Sequence, residues 1–257
     1  HIVNADSLQV YSNWRILTAR PTRKDEEIIP HHLYGYKAPD EEYSVGHWLR
    51  DLTNILTTNK KVIIVGGTGL YFSALTEGLA NIPKISDETK IISKKRLLKY
   101  GIQNLLKDLD KETLESIDIN NQMRVIRAWE VLKETGKSLK KWQSKTGTPI
   151  LPLTKCQPLV INPDKNDLDK KIRVRFKDMI KMGALDEARK NLDMWNQGLI
   201  ASKAIGASEL ISYLKNEITL EEAITTASIA TRQYAKRQRT WIKARMKQWN
   251  DVTELIN

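Results

Sequence analysis

Three short apolar runs punctuate an otherwise polar chain: Ile2-Val3, Val62-Ile63-Ile64-Val65 and Leu159-Val160-Ile161. Each ends in a polar or glycine-rich turn, Asn4-Ala5-Asp6-Ser7, Gly66-Gly67-Thr68-Gly69 and Asn162-Pro163-Asp164 in that order. Continuous runs of this length, bounded by turn residues, predict buried parallel strands. Between the first two, a proline-containing loop over about 18–42 and a helix over about 44–58 give a β-loop-α-β arrangement, hence an α/β core. In such cores ligands sit beyond the carboxyl ends of the strands, where these polar turns converge. The opening stretch His1–Asp6 already reads as a strand running into a turn, so the chain is expected to start inside a fold.

From Ser86 to Thr135 the apolar spacing changes to a helical period. Ser86 or Asp87 caps a helix running through Leu97 and Leu98. Asn120 or Asn121 caps a second with Val125, Ile126, Trp129 and Leu132 on one side, and Gly136 closes it. Ser144–Thr154 is rich in Ser, Thr, Pro and Gly and reads as a linker. Further helices are expected over about 166–193, 200–215 and 219–249. The expected organisation is therefore a first part of the α/β core over 1–85, a helical insertion over 86–150, and a second part of the core over 151–257.

Composition narrows the class. With 40% apolar residues in 257 the chain can build a core. Mean hydropathy is −0.46, and no apolar run approaches the roughly 18–20 residues that cross a bilayer, which excludes a membrane-spanning helix. One cysteine, Cys156, cannot form an internal disulfide, and no secretory leader opens the sequence, so a cytoplasmic globular protein is expected. The net charge of +11 is unevenly spread: residues 1–83 carry −1 and residues 84–257 carry +12. Solubility does not demand that asymmetry, whereas a polyanionic partner favours it.

Four segments offer chemistry. Asp6-Ser7-x-Gln9-x-Tyr11 places a carboxylate, a hydroxyl and an amide at a strand end; Asp6 suits a general base or a helix cap, and Gln9 can pair with an adenine edge. Gly66-Gly67-Thr68-Gly69 offers backbone N–H groups and a hydroxyl to a phosphate, although it is no Walker A motif and glycine turns are common. Thr231–Lys247 holds seven basic residues and no acidic one. At about 100° per residue Arg232, Lys236, Arg239, Lys243 and Lys247 share a sector of about 80°, opposite Tyr234, Trp241, Ile242 and Trp249. That stripe suits a phosphate backbone better than a merely solvated face. His31-His32 lacks partners spaced for a zinc site and is read as structural or substrate-positioning. The tryptophans fall mostly at helical core positions.

Six ordered segments together carry more than any one. Asn4-Ala-Asp-Ser-Leu-Gln-Val-Tyr11, Thr18-Ala-Arg-Pro-Thr22, Pro30-His-His-Leu33, Val65-Gly-Gly-Thr-Gly-Leu-Tyr71, Arg124-Val-Ile-Arg-Ala-Trp-Glu-Val131 and Thr231-Arg-Gln-Tyr-Ala-Lys-Arg-Gln-Arg-Thr-Trp241 span essentially the whole chain. The series resembles the tRNA dimethylallyltransferase (tRNA isopentenyltransferase) family. The resemblance implies a P-loop-NTPase-like parallel-sheet core with a helical insertion, here 86–150, against the tRNA anticodon stem. It also implies transfer of a dimethylallyl group from dimethylallyl diphosphate to N6 of the adenosine 3′ of the anticodon, with magnesium offsetting diphosphate charge. Asp6 matches the family's proposed general base and Gln9 the residue that holds the flipped adenine. Contact with tRNA is implied for Asp6, Ser7, Leu8, Gln9, Thr68, Met123, Arg124 and Arg127, and for the run Lys236, Arg237, Gln238, Arg239, Thr240 and Trp241. A cytoplasmic monomer is expected.

The sequence departs from the family pattern in places. The family opens with a strand and a P-loop that cradles the diphosphate. This sequence starts at the family's second strand, so weak activity and no protein cradle for the diphosphate are expected. Met123 stands where the family usually has Gln, and Gly206-Ala207 stands for a Gly-Tyr pair, removing an RNA contact. The arginine often found after the family's Pro-Asp turn is also missing near Ile91, where Lys90 lies alongside. Two rivals follow: an inactive homologue that still grips tRNA, and an enzyme that prenylates free adenine nucleotides. The basic C-terminal helix argues against the second.

Overall fold

A computed structural model of the chain describes residues 1–59 and 61–255. It divides into two units, His1–Ala74 with Leu153–Asn257, and Leu75–Pro152. The first unit opens with β1 (Ile2–Asn4), α1 (Arg23–Ile28), β2 (His31–His32), α2 (Val45–Thr58), β3 (Ile63–Val65) and α3 (Gly69–Glu77). The three strands form a parallel sheet in the order β2-β1-β3, with Ile2 opposite both His31 and Ile63, and Asn4 opposite Val65. Central β1 buries Val3 and Asn4 completely. The third strand corrects the expectation of a buried run. It lies at the sheet edge, and Ile63 and Val65 remain 61% and 49% exposed.

Capping explains the elements between. Ser44 caps α2 by accepting from His47 N, and the helix then buries Trp48, Leu49 and Leu52 at helical spacing. The 18–42 stretch was expected to be loop but contains α1 and β2. No residue of α1 is buried, and it is held at its start by a reciprocal Thr22–Asp25 box. Thr-x-x-Asp was the signal for it. The helix α3 was also unforeseen, because its mostly apolar sequence shows no polar face.

The second unit is built on the helices α4 (Asp87–Tyr100), α5 (Ile102–Leu106), α6 (Lys111–Ser116), α7 (Gln122–Thr135) and α8 (Leu139–Gln143). Ser86 and Asn121 are the caps of α4 and α7, and Gly136 ends α7 at φ +64°. Leu105, Val125, Ala128, Trp129 and Val131 form its core. At the rim, Trp129 Nε1 and Arg96 both donate to Asp108 Oδ2. The unit begins at Leu75 rather than at 86, since the strand-like bridge of Ala80 with Thr146 and the Gly147 N–H to Leu79 carbonyl bond close its two ends together.

The chain returns to the first unit through β4 (Leu159–Val160), α9 (Lys165–Lys181), α10 (Ala184–Asn191), α11 (Ala207–Leu214), α12 (Leu220–Arg245) and β5 (Asn250–Asp251). The third predicted strand does not join β1. It pairs in parallel with β5 as a separate two-stranded sheet, Leu159 opposite Asn250. The helix expected over 166–193 is broken at Gly183, whose φ of +104° no ordinary L residue adopts cheaply. Similarly, 200–215 becomes a short 3₁₀ turn and α11, divided by Gly206 at φ +94°. Trp14, Leu17, Phe176, Leu210, Ile211, Ala223 and Ala227 make the core here.

One carboxylate ties the early loop to this core. Glu187 of α10 accepts the backbone N–H groups of Arg15, Ile16 and Leu17 at 2.6 to 3.1 Å. Removing it strands three donors in a half-buried turn. Glu187→Ala is therefore expected to lower unfolding free energy by about 3 kcal/mol, read as an earlier urea midpoint. Glu187→Gln, which keeps one acceptor oxygen, should lose less.

Candidate active site and nucleic-acid face

The end of β1 is locked before any functional group is placed. Buried Asn4 accepts from Asp6 N through Oδ1 at 2.7 Å, while its Nδ2 donates to the carbonyls of Asp6 and Leu33, each at 2.9 Å. Its own carbonyl accepts from Trp48 Nε1 at 2.7 Å. These bonds curl the chain so that Asp6 leaves the strand end at a fixed angle. Asp6 Oδ1 then accepts from Leu8 N at 2.8 Å.

The glycine turn after β3 completes the frame. Ala5 N donates to the Val65 carbonyl at 2.7 Å and Thr68 N donates to the Ala5 carbonyl at 3.1 Å. Thr68 Oγ1 accepts from Ser7 N at 2.9 Å and donates to Ser7 Oγ at 3.3 Å. Two of the three polar turns predicted to converge at the strand ends do meet, Thr68 being the link; the third, Asn162-Pro163-Asp164, follows β4 of the separate sheet. A Cβ on Gly66 would lie 2.2 Å from the Ala5 carbonyl carbon, and one on Gly69 would lie 2.2 Å from Trp241 Nε1. Only glycine permits these approaches.

Burial raises the Asp6 carboxyl above the ordinary carboxylate range, against the lowering pull of the Leu8 and Gln9 backbone N–H groups. Three phenols lie within reach of its charge. Burial first and the Asp6 charge second push Tyr34 up to about 12, and the same two causes raise Tyr234. Tyr71 is raised by burial and by neighbouring charge that includes Asp6. A carboxyl raised above its ordinary range, beside phenols that keep their protons, can serve as a general base.

Gln9 is held by its amide nitrogen, which donates to the carbonyls of Thr18 at 2.7 Å and Ala19 at 3.2 Å. With both N–H groups committed, its oxygen is what it offers a ligand. It lines a cleft of about 540 Å³ with Arg20, His31, Tyr34 and Val65. His31 Nδ1 donates to the Ile29 carbonyl at 2.8 Å. Among the described residues no group of three or more His, Cys, Asp or Glu side chains could hold a metal ion.

The basic run of α12 sorts into two faces. Lys236, Arg237 and Thr240 are exposed, as are Arg232 and Lys243. Gln238 and Trp241 turn inward: Gln238 Nε2 donates to the Gly67 carbonyl at 3.1 Å, and Trp241 covers Gly69. Arg239 is partly buried, so it leaves the predicted stripe, and Arg239 Nη1 and Trp241 Nε1 have no hydrogen-bond partner among the described residues. Lys247 and Trp249 fall beyond the helix, which ends at Arg245 rather than near 249. In the second unit, Met123, Arg124 and Arg127 stand exposed on the first turns of α7, Met123 at 66%. Ala207 is fully buried in the core. The sequence reading missed Asn4 as a site residue and the phenols Tyr34 and Tyr234; the first was signalled by an amide two residues before the carboxylate, the others only by the fold.

A family model described as IPP transferase matches residues 9–245. A tRNA dimethylallyltransferase of Cereibacter sphaeroides is 49% identical over 251 residues, covering 98% of this chain and 80% of that protein. The full-length tRNA isopentenylpyrophosphate transferase of Bacillus halodurans superposes with a TM-score of 0.66 at 31% identity, over 98% of this chain and 80% of that one. A eukaryotic dimethylallyltransferase described as acting on tRNA gives a TM-score of 0.78 at 26% identity, over 94% and 63%.

Proposed function

The chain belongs to the IPP transferase family, and on that premise we propose that it moves a dimethylallyl group from dimethylallyl diphosphate to N6 of the adenosine 3′ of a tRNA anticodon. It is a transferase of prenyl groups to tRNA, with the α/β core and helical insertion of that fold. The observation that carries the finer reading is the Asp6 carboxyl, borne on a turn whose main chain is locked by Asn4 and joined through Ser7 and Thr68 to the glycine turn, near an amide that offers an acceptor. An adenine N6 amine is a poor nucleophile, because its lone pair is delocalised into the ring. As the bond from nitrogen to the allylic carbon forms and the carbon–oxygen bond to diphosphate breaks, Asp6 takes the amine proton. Gln9 Oε1 accepts from the same amine and orients it. The adenine must leave its stack to be reached, and the cleft beside Gln9 receives it.

Magnesium, if bound together with the diphosphate, would offset its charge. Exposed Lys236, Arg237 and Lys243 on α12, and Arg124 and Arg127 on α7, are proposed to meet the RNA backbone, with a cytoplasmic monomer as the working form. No helix among the described residues is long and apolar enough to cross a membrane.

The test is transfer of labelled dimethylallyl from its diphosphate to an unmodified anticodon stem-loop, with magnesium present and AMP as competitor. Label on the adenine, undiminished by AMP, is expected. Label on AMP instead would make this an enzyme of free nucleotides, and RNA binding without label would leave only a tRNA-gripping relative. Affinity for the stem-loop should fall steeply with salt, and Lys236→Ala with Lys243→Ala should flatten that dependence by roughly one unit of slope per lost phosphate contact.

A further inference from the structure

The basic run on α12 contains two side chains that do not face solvent, and where they go assigns them a different task. Gln238 and Trp241 are three residues apart, so they share a helix face. That face lies on the glycine turn. Gln238 Nε2 bonds the Gly67 carbonyl at 3.1 Å, and so closely that a Cβ on Gly67 would sit 2.2 Å from the same nitrogen. The same Cβ position is 4.0 Å from Asp6 Oδ2. The Gln238 amide and the Asp6 carboxyl thus both crowd the side of Gly67 on which a Cβ would stand. The next residue, Thr68, holds Ser7 N through its hydroxyl and the Ala5 carbonyl through its N–H. An unbroken series of contacts therefore runs from α12 through Gly67 and Thr68 to the turn that carries Asp6.

We propose that Gln238 is a positioning residue for the transfer reaction: it anchors the Gly66–Thr68 turn, and through it Asp6, and so sets the rate of transfer rather than the affinity for tRNA. The inference rests on the reading of Asp6 as the base. Its neighbours Lys236, Arg237 and Thr240 point outward on the same helix and do the gripping. One helix thereby holds the RNA on one face and the catalytic turn on the other, so engagement of the RNA and alignment of the base are mechanically joined.

The test separates the two roles and does not depend on turnover alone. Gln238→Ala and Gln238→Glu, the latter of the same shape but unable to donate to the Gly67 carbonyl, are compared with Lys236→Ala. Three readouts are taken: stem-loop Kd, the single-turnover rate at saturating RNA, and the titration of Asp6 followed by carboxyl-carbon NMR. Both Gln238 variants are expected to keep Kd within about threefold while the rate falls on the order of 10²-fold, the penalty of a reacting group displaced by about an ångström. Lys236→Ala should do the reverse. In Gln238→Ala the Asp6 midpoint should fall toward the ordinary carboxylate value as water enters beside Gly67. A weakened Kd with an unchanged rate at saturation would overturn the proposal and make Gln238 an RNA contact. If the parent chain transfers no label, the reading of the reaction fails and the NMR arm still decides the anchor: an Asp6 midpoint identical in parent and Gln238→Ala overturns it.

Discussion

Asp6→Asn should lower the rate of dimethylallyl transfer by on the order of 10²–10⁴-fold, the range that a positioned base contributes, with stem-loop affinity essentially unchanged. The substitution is chosen because it spares the geometry. Asparagine keeps an Oδ1 that can accept from Leu8 N, and the Asn4 and Thr68 bonds that shape the turn involve main-chain atoms of residues 6 and 7. What disappears is the ability to accept a proton. The pH profile of the parent should show the same group: burial raises the Asp6 carboxyl, so transfer should be lost on acidification at a pH above that expected of an exposed aspartate. An Asp6→Asn variant that transfers at the parental rate would remove Asp6 from the chemistry.

The same burial fixes a stability prediction of opposite sign. A carboxyl whose folded pKa is raised above its unfolded value stabilises the fold fully below the unfolded pKa, and that contribution is lost as pH rises through the folded one. At neutral pH the ionised Asp6 is therefore a net burden. Asp6→Asn should hold or raise the urea midpoint near pH 7, with the gain vanishing in acid. A site that sacrifices stability for a poised base behaves this way, whereas a carboxylate held for a stabilising charge interaction would lose stability on the same change.

How far the sequence disclosed this site depends on the kind of force involved. The turns at Asp6 and Gly66 were legible because strand ends followed by Asn, Asp and Gly have local causes. So were the caps Ser86 and Asn121 and the close of α7 at Gly136. Long-range placement was not. The edge position of β3 and the pairing of β4 with β5 depend on which strand lies beside which, and an apolar run of three or four residues does not encode its neighbour. The inward turn of Gln238 and Trp241 was hidden for a related reason. Helical arithmetic puts Arg239 on the basic stripe and says nothing about a glycine turn 171 residues away that takes up the Gln238 amide. The break at Gly183 was in principle readable, since a glycine inside a helical pattern is a candidate stop.

Gly66→Ala should cost about 3 kcal/mol or more of unfolding free energy and take transfer with it. The added methyl would lie 2.2 Å from the Ala5 carbonyl carbon and 2.3 Å from its oxygen, whereas ordinary contact begins at 3.4 Å. These are main-chain atoms, so no side chain can swing aside. Relief requires β1 and β3 to part, and they are stitched together on both sides of the clash by Ala5 N to the Val65 carbonyl and Thr68 N to the Ala5 carbonyl. Any shift that accommodates the methyl lengthens one or both bonds and moves Thr68, hence Ser7 and Asp6. Gly46 in α2 of the same unit supplies the contrast. A Cβ there meets only Arg50 Nη1 and Ser44 Oγ, each at 3.8 Å, so Gly46→Ala should hold or raise stability by roughly 0.5–1 kcal/mol through helix propensity. Urea midpoints of the two variants beside the parent decide the matter. Opposite signs are expected from one and the same chemical change, and a Gly66→Ala midpoint equal to the parent's would show that the two strands do not approach as closely as the turn requires.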